Sequence, residues 1–258
     1  MNIIVLVKQV PDTTEIHVDK ETGTLKRAGV PTIINPDDQA GLEVALTLKE
    51  TIGAKVTVLT MGPGQAKSML HECLATGADE AYLISDRQFA GSDTWATSKI
   101  LSEAIKTLDY DLIIAGRQAI DGDTAQVGPQ VAEFLKIPQV TYVEKVHEVY
   151  QNTITITKAY EDYKVVLNAK MPCLLTVLSD AYTLRYMDAK RLFETAHQPI
   201  PTLTNDTLSI DVEHIGLKGS PTRVKKTFVK AVNDKRKPLA LNPEDAANKI
   251  IESLRSIS

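Results

Sequence analysis

Twenty residues, Asp111 to Gln130 (DLIIAGRQAIDGDTAQVGPQ), constrain this chain more than any other stretch. They open with an apolar run, Leu112 to Ala115, that suits a parallel strand buried on both faces. The chain turns at Gly116 into a polar loop of Arg117, Gln118, Ala119, Ile120, Asp121, Gly122, Asp123, Thr124, Ala125, Gln126 and Val127. Gly128 then leads into a helical segment over roughly Pro129 to Lys136. Strand, polar turn, helix is the order in which an α/β sheet presents backbone N–H groups to a phosphate. Gly122 and Gly128 let the backbone approach a ligand closely, and Thr124 offers a hydroxyl. Two carboxylates, Asp121 and Asp123, work against a diphosphate. Arg117 offsets part of that repulsion, and Asp123 has the alternative of capping the helix. The competing reading is a capped strand-to-helix connection that binds nothing.

The surrounding chain repeats the alternation. Short apolar strands are expected at Asn2 to Val7, Lys55 to Thr60, Ala81 to Ile84, Leu112 to Ala115 and Leu174 to Val177. Helical patterns fall between them. Asp37 to Ile52 puts Ala40, Val44, Leu48 and Ile52 on one stripe. Gln65 to Ala75 ends before a C-cap candidate, Gly77, and Ser92 to Leu108 has Ser92 or Asp93 as its N-cap. Strands alternating with helices predict an α/β fold, a mostly parallel, doubly wound sheet covered on both faces. Residues 140–169 break the pattern. The run Thr153 to Thr157 (TITIT) has period two, Gln151-Asn152 reads as a hairpin turn before it, and Tyr163 to Leu167 reads as another strand. A small antiparallel insertion is expected there. After Leu178 the pattern fades into a proline-punctuated tail. It ends in a helix, Pro243 to Arg255, with Asn242 as N-cap and Ala246, Ile250, Ile251 and Leu254 as its apolar face. Such a tail wraps another subunit or docks on its own domain.

Composition narrows the function classes. At 258 residues and 43% hydrophobic, the chain can build one full core. No run reaches the roughly 18 apolar residues of a membrane span, and the start, MNIIVLVKQV, reads as a first strand rather than a signal peptide. Two cysteines, Cys73 and Cys173, at no ligand spacing point to a reducing, cytoplasmic compartment. The scattered histidines predict no metal site, and His71 reads as structural or solvent-facing. A net charge of −4 argues against nucleic acid. Leu217 to Lys237 carries eight Lys/Arg against the single acid Asp234, yet Phe228 is its only aromatic. That composition fits a solvated face or a subunit contact. GxSxG, P-loop, GxGxxG and paired Cys/His signatures are all missing, so any chemistry must come from a bound cofactor.

The turn GRQAIDGDTAQVGP closely resembles the nucleotide-binding signature of electron-transfer flavoprotein β (small) subunits. Lys8 to Asp12 (KQVPD), Asn35 to Asp38 (NPDD), Thr60 to Pro63 (TMGP), Gly77 to Glu80 (GADE) and Ile215 to Thr222 (IGLKGSPT) follow the same order. The resemblance covers about the first 180 residues well and the remainder patchily. It implies a small subunit paired with a larger α subunit in an electron carrier. In ordinary members this subunit holds structural AMP. In electron-bifurcating members it holds a second FAD, which takes hydride from NADH and divides the electrons between a dehydrogenase and a low-potential carrier, ferredoxin or flavodoxin. The form of the turn, with Gly122 removing a side chain, favours FAD over AMP. Carried over by motif, Leu6 makes a backbone contact, Asn35, Pro36, Asp37 and Asp38 lie beside the adenosine, and Met61 ends the second strand. Gly116 to Gly128 would hold the phosphates. Asn35 and Pro36 equally suit a plain helix start. A stand-alone adenine-nucleotide-binding stress-type module is the rival from another class.

The resemblance divides the chain into a nucleotide- or flavin-binding domain, 1–180, and a partner-recognition loop with a C-terminal arm on the α subunit, 181–258. In that loop Leu184, Arg185, Tyr186 and Met187 are the docking candidates. Arg185 and Tyr186 match the family's pattern, whereas its Asn-Glu-Pro run is replaced. That departure weakens the case for an acyl-CoA dehydrogenase partner and raises that for a flavin-dependent 2-hydroxy-acid dehydrogenase, such as one oxidising lactate.

Overall fold

The computed structural model describes residues 1–12, 31–223 and 239–256. Most of the basic run, including Lys225, Lys226 and Lys230, lies outside the described residues.

The chain begins with β1 (Asn2–Leu6), β2 (Gln9–Pro11) and β3 (Thr32–Ile34), and continues through α1 (Pro36–Ile52), β4 (Lys55–Met61), α2 (Lys67–Thr76), β5 (Glu80–Ile84) and α3 (Thr94–Ile105). There follow β6 (Leu112–Gly116), α4 (Val127–Leu135), β7 (Gln139–Tyr150), β8 (Thr153–Ala159), β9 (Lys164–Lys170) and β10 (Cys173–Val177). The tail adds α5 (Ala189–Thr195), β11 (Thr202–Leu203), α6 (Asn205–Leu208), α7 (Gly216–Gly219) and α8 (Pro243–Arg255). Among the described residues a nine-stranded sheet runs β11-β5-β4-β1-β6-β10-β7-β8-β9, and β2 pairs separately with β3. Every pairing from β11 to β7 is parallel, while β7-β8-β9 is antiparallel. The expected α/β fold is therefore present. The antiparallel part is not set apart from the parallel sheet: β7 pairs with β10 at one end and with β8 along its length.

Strand periodicity builds two cores at once. Ile3 and Val5 of β1 enter one hydrophobic cluster with Leu112 and Ile114 of β6, beneath α1 and α2. Their neighbours Ile4 and Leu6, with Ile113 and Ala115, enter a second cluster beneath α3 and α4. Successive side chains point to opposite faces, so a continuous apolar run fills both layers. Each buried Ile or Leu contributes roughly 1.5–3 kcal/mol. On α1, Ala40, Val44 and Leu48 are buried as expected, but Ile52 is exposed, because the helix ends there at the left-handed Gly53. Asp93 caps α3 by accepting from Ala96 N (3.0 Å), and the helix ends at Ile105, three residues short of the expected Leu108.

The tail splits. β11 joins the sheet edge beside β5, and Ile200, Ile210 and Ile215 are buried, so this part docks on the chain's own core. α8 begins as expected, with Asn242 accepting from Asp245 N (2.9 Å) and Pro243 in the first turn. Its Ile250, Ile251 and Leu254 are exposed. No helix among the described residues is long and apolar enough to cross a membrane.

Candidate functional site

The strand order reverses at β1, which has β4 on one side and β6 on the other. Open α/β sheets bind ligands at such a switch point, beyond the carboxyl ends of the strands. A cavity of about 380 Å³ opens there. Leu6 and Val7, Leu59 and Met61, and Ala115 and Gly116 line it from the ends of β1, β4 and β6. Its other walls are Ser92, Asp93, Thr94, Thr97 and Leu101 from the start of α3, and the loop between β6 and α4. A second cavity of about 290 Å³ adjoins it, lined by Gln9, Pro11, Thr32, Thr60 and Gln65 among others, and shares Lys8 and Met61 with the first.

Of the residues singled out from sequence, Leu6, Asp38, Met61, Gly116, Arg117, Gln118, Ala119, Gly122, Thr124, Ala125, Gln126, Val127 and Gly128 line the first cavity. Asn35, Pro36, Asp37, Ile120, Asp121 and Asp123 do not. They shape it instead. Asn35 Nδ2 donates to Gln118 O (2.8 Å), and Asn35 Oδ1 accepts from Ile120 N (3.0 Å). Its side chain thus anchors the loop rather than capping α1. Asp37 Oδ1 accepts from Ser179 N (2.9 Å) and its Oδ2 from Gln118 N (3.2 Å). Asp38 Oδ2 accepts from Lys8 N (2.8 Å) and its Oδ1 from Gly116 N (3.0 Å). One turn of chain at the start of α1 therefore pins the segments leaving β1, β6 and β10. Hydrogen bonds to a charged group are worth roughly 1.5–3 kcal/mol each.

The polar loop differs from its sequence reading at Asp123, and two backbone details add to that reading. Asp123 does not cap α4: the N-cap position is Gln126, with no capping side-chain bond, and Asp123 Oδ1 accepts from Gln118 Nε2 (2.9 Å). The left-handed backbone positions are Asp123 (φ 48°) and Ala125 (φ 53°), not Gly122. An alanine held there costs on the order of 1 kcal/mol, a strain that the surrounding contacts must offset. Gly128 serves close packing, since a Cβ on it would lie 2.7 Å from Thr176 Cγ2 of β10.

The charged groups lining the cavity are Lys8 and Arg117 together with Asp38 and Asp93, and the loop's own Asp121 is not among them. Asp121 is held by Lys8 Nζ at 2.7 Å. Arg117 Nε is buried and 3.2 Å from Asp37 Oδ2, close enough for an ion pair but without an aligned hydrogen bond. Beside it, the first-turn amides of Val127 and Gly128 open α4 without a cap, the arrangement that accepts phosphate. A diphosphate fits this donor set. Asp38 is 7% exposed, and burial pushes its carboxyl up to about 7 against the hydrogen bonds from Lys8 and Gly116.

Sequence reasoning missed Val7, Lys8, Leu59, Ala115 and the α3 start as lining residues. The strand-end rule and the Asp93 cap were the signals that pointed to them. The docking candidates separate in the structure. Leu184 is half-buried against the core, which corrects its reading as an exposed anchor. Arg185 is forked onto Glu43 (Nη2 to Oε1, 2.7 Å) and bonded to Glu50 of α1. Tyr186 is 97% exposed and Met187 is exposed. His71 Nδ1 lies 3.0 Å from Thr195 O, joining α2 to α5.

The electron transfer flavoprotein domain matches residues 22–207. The chain belongs to the electron transfer flavoprotein family. It is of the β-subunit type, as the ordered motifs indicated. It is 51% identical to electron transfer flavoprotein subunit beta of Clostridium acetobutylicum, over 99% of this chain and 98% of the relative. It is 49% identical to the β subunit of Thermoanaerobacterium thermosaccharolyticum, with the same 99% and 98% coverage. The caffeyl-CoA reductase-Etf complex subunit CarD of Acetobacterium woodii is also 49% identical, over 88% of this chain and 87% of that one.

Proposed function

We propose that this chain is the small subunit of a heterodimeric electron-transfer flavoprotein and that the cavity beyond β1, β4 and β6 holds FAD. The observation that carries the reading is Arg117, whose half-buried side chain keeps a buried Nε without an aligned hydrogen bond, on the same cavity wall as the uncapped start of α4. Arg117, Lys8, Thr124 and the Val127 and Gly128 amides would hold the diphosphate, and Leu6, Leu59, Met61 and Leu101 give the adenine an aliphatic slot. Bound there, FAD supplies hydride and single-electron chemistry that no side chain of this protein can.

AMP is the second reading, because about 380 Å³ sits near the low end of the roughly 300–1,000 Å³ of small-molecule sites. The adjoining cavity, which shares Lys8 and Met61 with the first, favours the dinucleotide by adding room that a mononucleotide does not need. NADH as donor, and ferredoxin or flavodoxin as low-potential acceptor, rest on the family resemblance and the form of the turn. The second partner is a flavin-dependent dehydrogenase. The relative named for a caffeyl-CoA reductase complex supports one acting on a CoA ester, and the altered recognition loop supports a 2-hydroxy-acid type. Buried, unpaired Cys73 and Cys173 suit a cytoplasmic setting.

Native purification followed by anaerobic mixing with NADH tests this proposal. A larger flavoprotein partner should co-purify, and NADH should bleach the flavin absorbance. Recovery as a lone monomer holding only ATP, or two bound FAD that NADH leaves oxidised, would contradict it.

A further inference from the structure

Asp38 is the only residue of the Asn35–Asp38 turn that reaches the cavity wall. Both of its oxygens are committed, one to the amide that follows β1 and one to the amide that ends β6. The fit is tight: a Cβ on Gly116 would stand 2.2 Å from Asp38 Oδ1 and 2.7 Å from Asp37 Cβ. Gly116 leaves room for the carboxylate, and the carboxylate ties the two strands on either side of the switch point.

We infer that Asp38 is a positioning residue, whose carboxylate holds the ends of β1 and β6 at the separation the nucleotide diphosphate requires. It acts through Lys8 and Gly116 rather than as a ligand donor. The inference rests on the nucleotide-binding reading above. A carboxylate can accept both N–H groups. An asparagine turns one acceptor into a donor aimed at an N–H and releases one strand end; a protonated carboxyl keeps both oxygens but makes one a neutral, weaker acceptor, and loosens that end. The side chain titrates near neutrality because burial outweighs those bonds. The ionisable groups around it are Asp37 beside it on α1, Cys73 on α2, Lys8 after β1 and Arg117 after β6. Burial pushes the Cys73 thiol up, so it keeps its proton through this range.

The experiment strips nucleotide from the purified complex and measures FAD rebinding between about pH 6 and pH 8, spanning the carboxyl's titration. FAD is the probe because its diphosphate keeps its charge throughout. Expected for the parent is an affinity that falls as pH falls below 7, by up to about tenfold per pH unit. Asp38→Asn should bind FAD about tenfold or more weakly at pH 8 and show no such dependence. Gly116→Ala, which displaces the carboxylate without removing it, should also weaken binding. The parent's profile needs no variant, so a variant that fails to fold leaves the test intact. An affinity that rises as pH falls would mean that the carboxylate merely repels the diphosphate, and would overturn the inference. Equal affinity and profile in parent and Asp38→Asn would do the same. A parent that binds neither FAD nor AMP at any pH would instead reject the nucleotide-binding reading.

Discussion

Lys8 Nζ holds both carboxylate oxygens of Asp121, at 2.7 and 2.8 Å, and so joins the segment after β1 to the loop after β6. The pair halves an electrostatic objection to a phosphate site, since one of the loop's two carboxylates is neutralised by a lysine over 100 residues away in sequence. It is also half-exposed, so its worth to stability is below about 1 kcal/mol. Asp121→Asn should therefore leave the urea midpoint nearly unchanged and tighten FAD binding, because Lys8 is released toward the cavity. Weaker FAD binding in that variant would show that Lys8 serves better when held than when free.

Two glycines, one ending β6 and one in the loop that follows, should respond oppositely. Gly116→Ala forces its Cβ into Asp38 and Asp37 and should destabilise the fold by about 1–3 kcal/mol. At Gly122 no atom lies within 4 Å of where a Cβ would stand, and its φ is not left-handed. Gly122→Val should melt within about 0.5 kcal/mol of the parent yet retain less FAD, because its side chain enters the cavity. Equal melting curves for the two variants would contradict this placement.

Asp38 should also mark the pH dependence of stability. Folding raises its pKa from 3.8 to about 7, so the folded protein holds that proton more tightly than the unfolded chain. The associated stability is fully present below about pH 4, declines as pH rises toward 7 and is level above that. The decline is on the order of 1 kcal/mol per pH unit. Asp38→Asn should remove this slope from denaturation curves taken across the range, and a slope that persists in the variant would assign it to another group.

The loop after β10, the candidate for partner docking, separates into a fastened part and a presented part. Arg185 is locked onto Glu43 and Glu50, and Leu184 packs against the core. Tyr186 and Met187 remain exposed, with Phe193 of α5 82% exposed nearby in sequence. Tyr186→Ala combined with Met187→Ala should slow electron delivery to the partner dehydrogenase and leave FAD content and stability unchanged. Leu184→Ala should instead cost about 1–2 kcal/mol of stability. Parent-rate coupling in the double variant would remove this loop from docking.

The parallel strands and their helices were legible because β1 and β6 are unbroken apolar runs and α1 carries a stripe of spacing four. The loop after β6 was legible as a cavity wall because small and polar residues there follow a buried strand and precede a helix. Its internal wiring was not. Asn35 looked like a cap and Asp123 looked like another, since both residue types suit that role locally. In the fold, Asn35 spends its side chain on Gln118 and Ile120 more than eighty positions away, and Asp123 turns back to Gln118. For Asn35 a long-range partner outcompetes the local cap and sequence spacing carries no record of it, whereas Asp123 is taken by a neighbour within its own loop. Lys8 and the α3 start were hidden for the same reason: they reach the cavity only once β1, β4 and β6 lie side by side.

Quantifying the nucleotides released on denaturing the native complex tests the central claim most directly. Two FAD per heterodimer are expected, one of them from the cavity beyond β1, β4 and β6. One FAD with one AMP per heterodimer would contradict the assignment of FAD to this subunit.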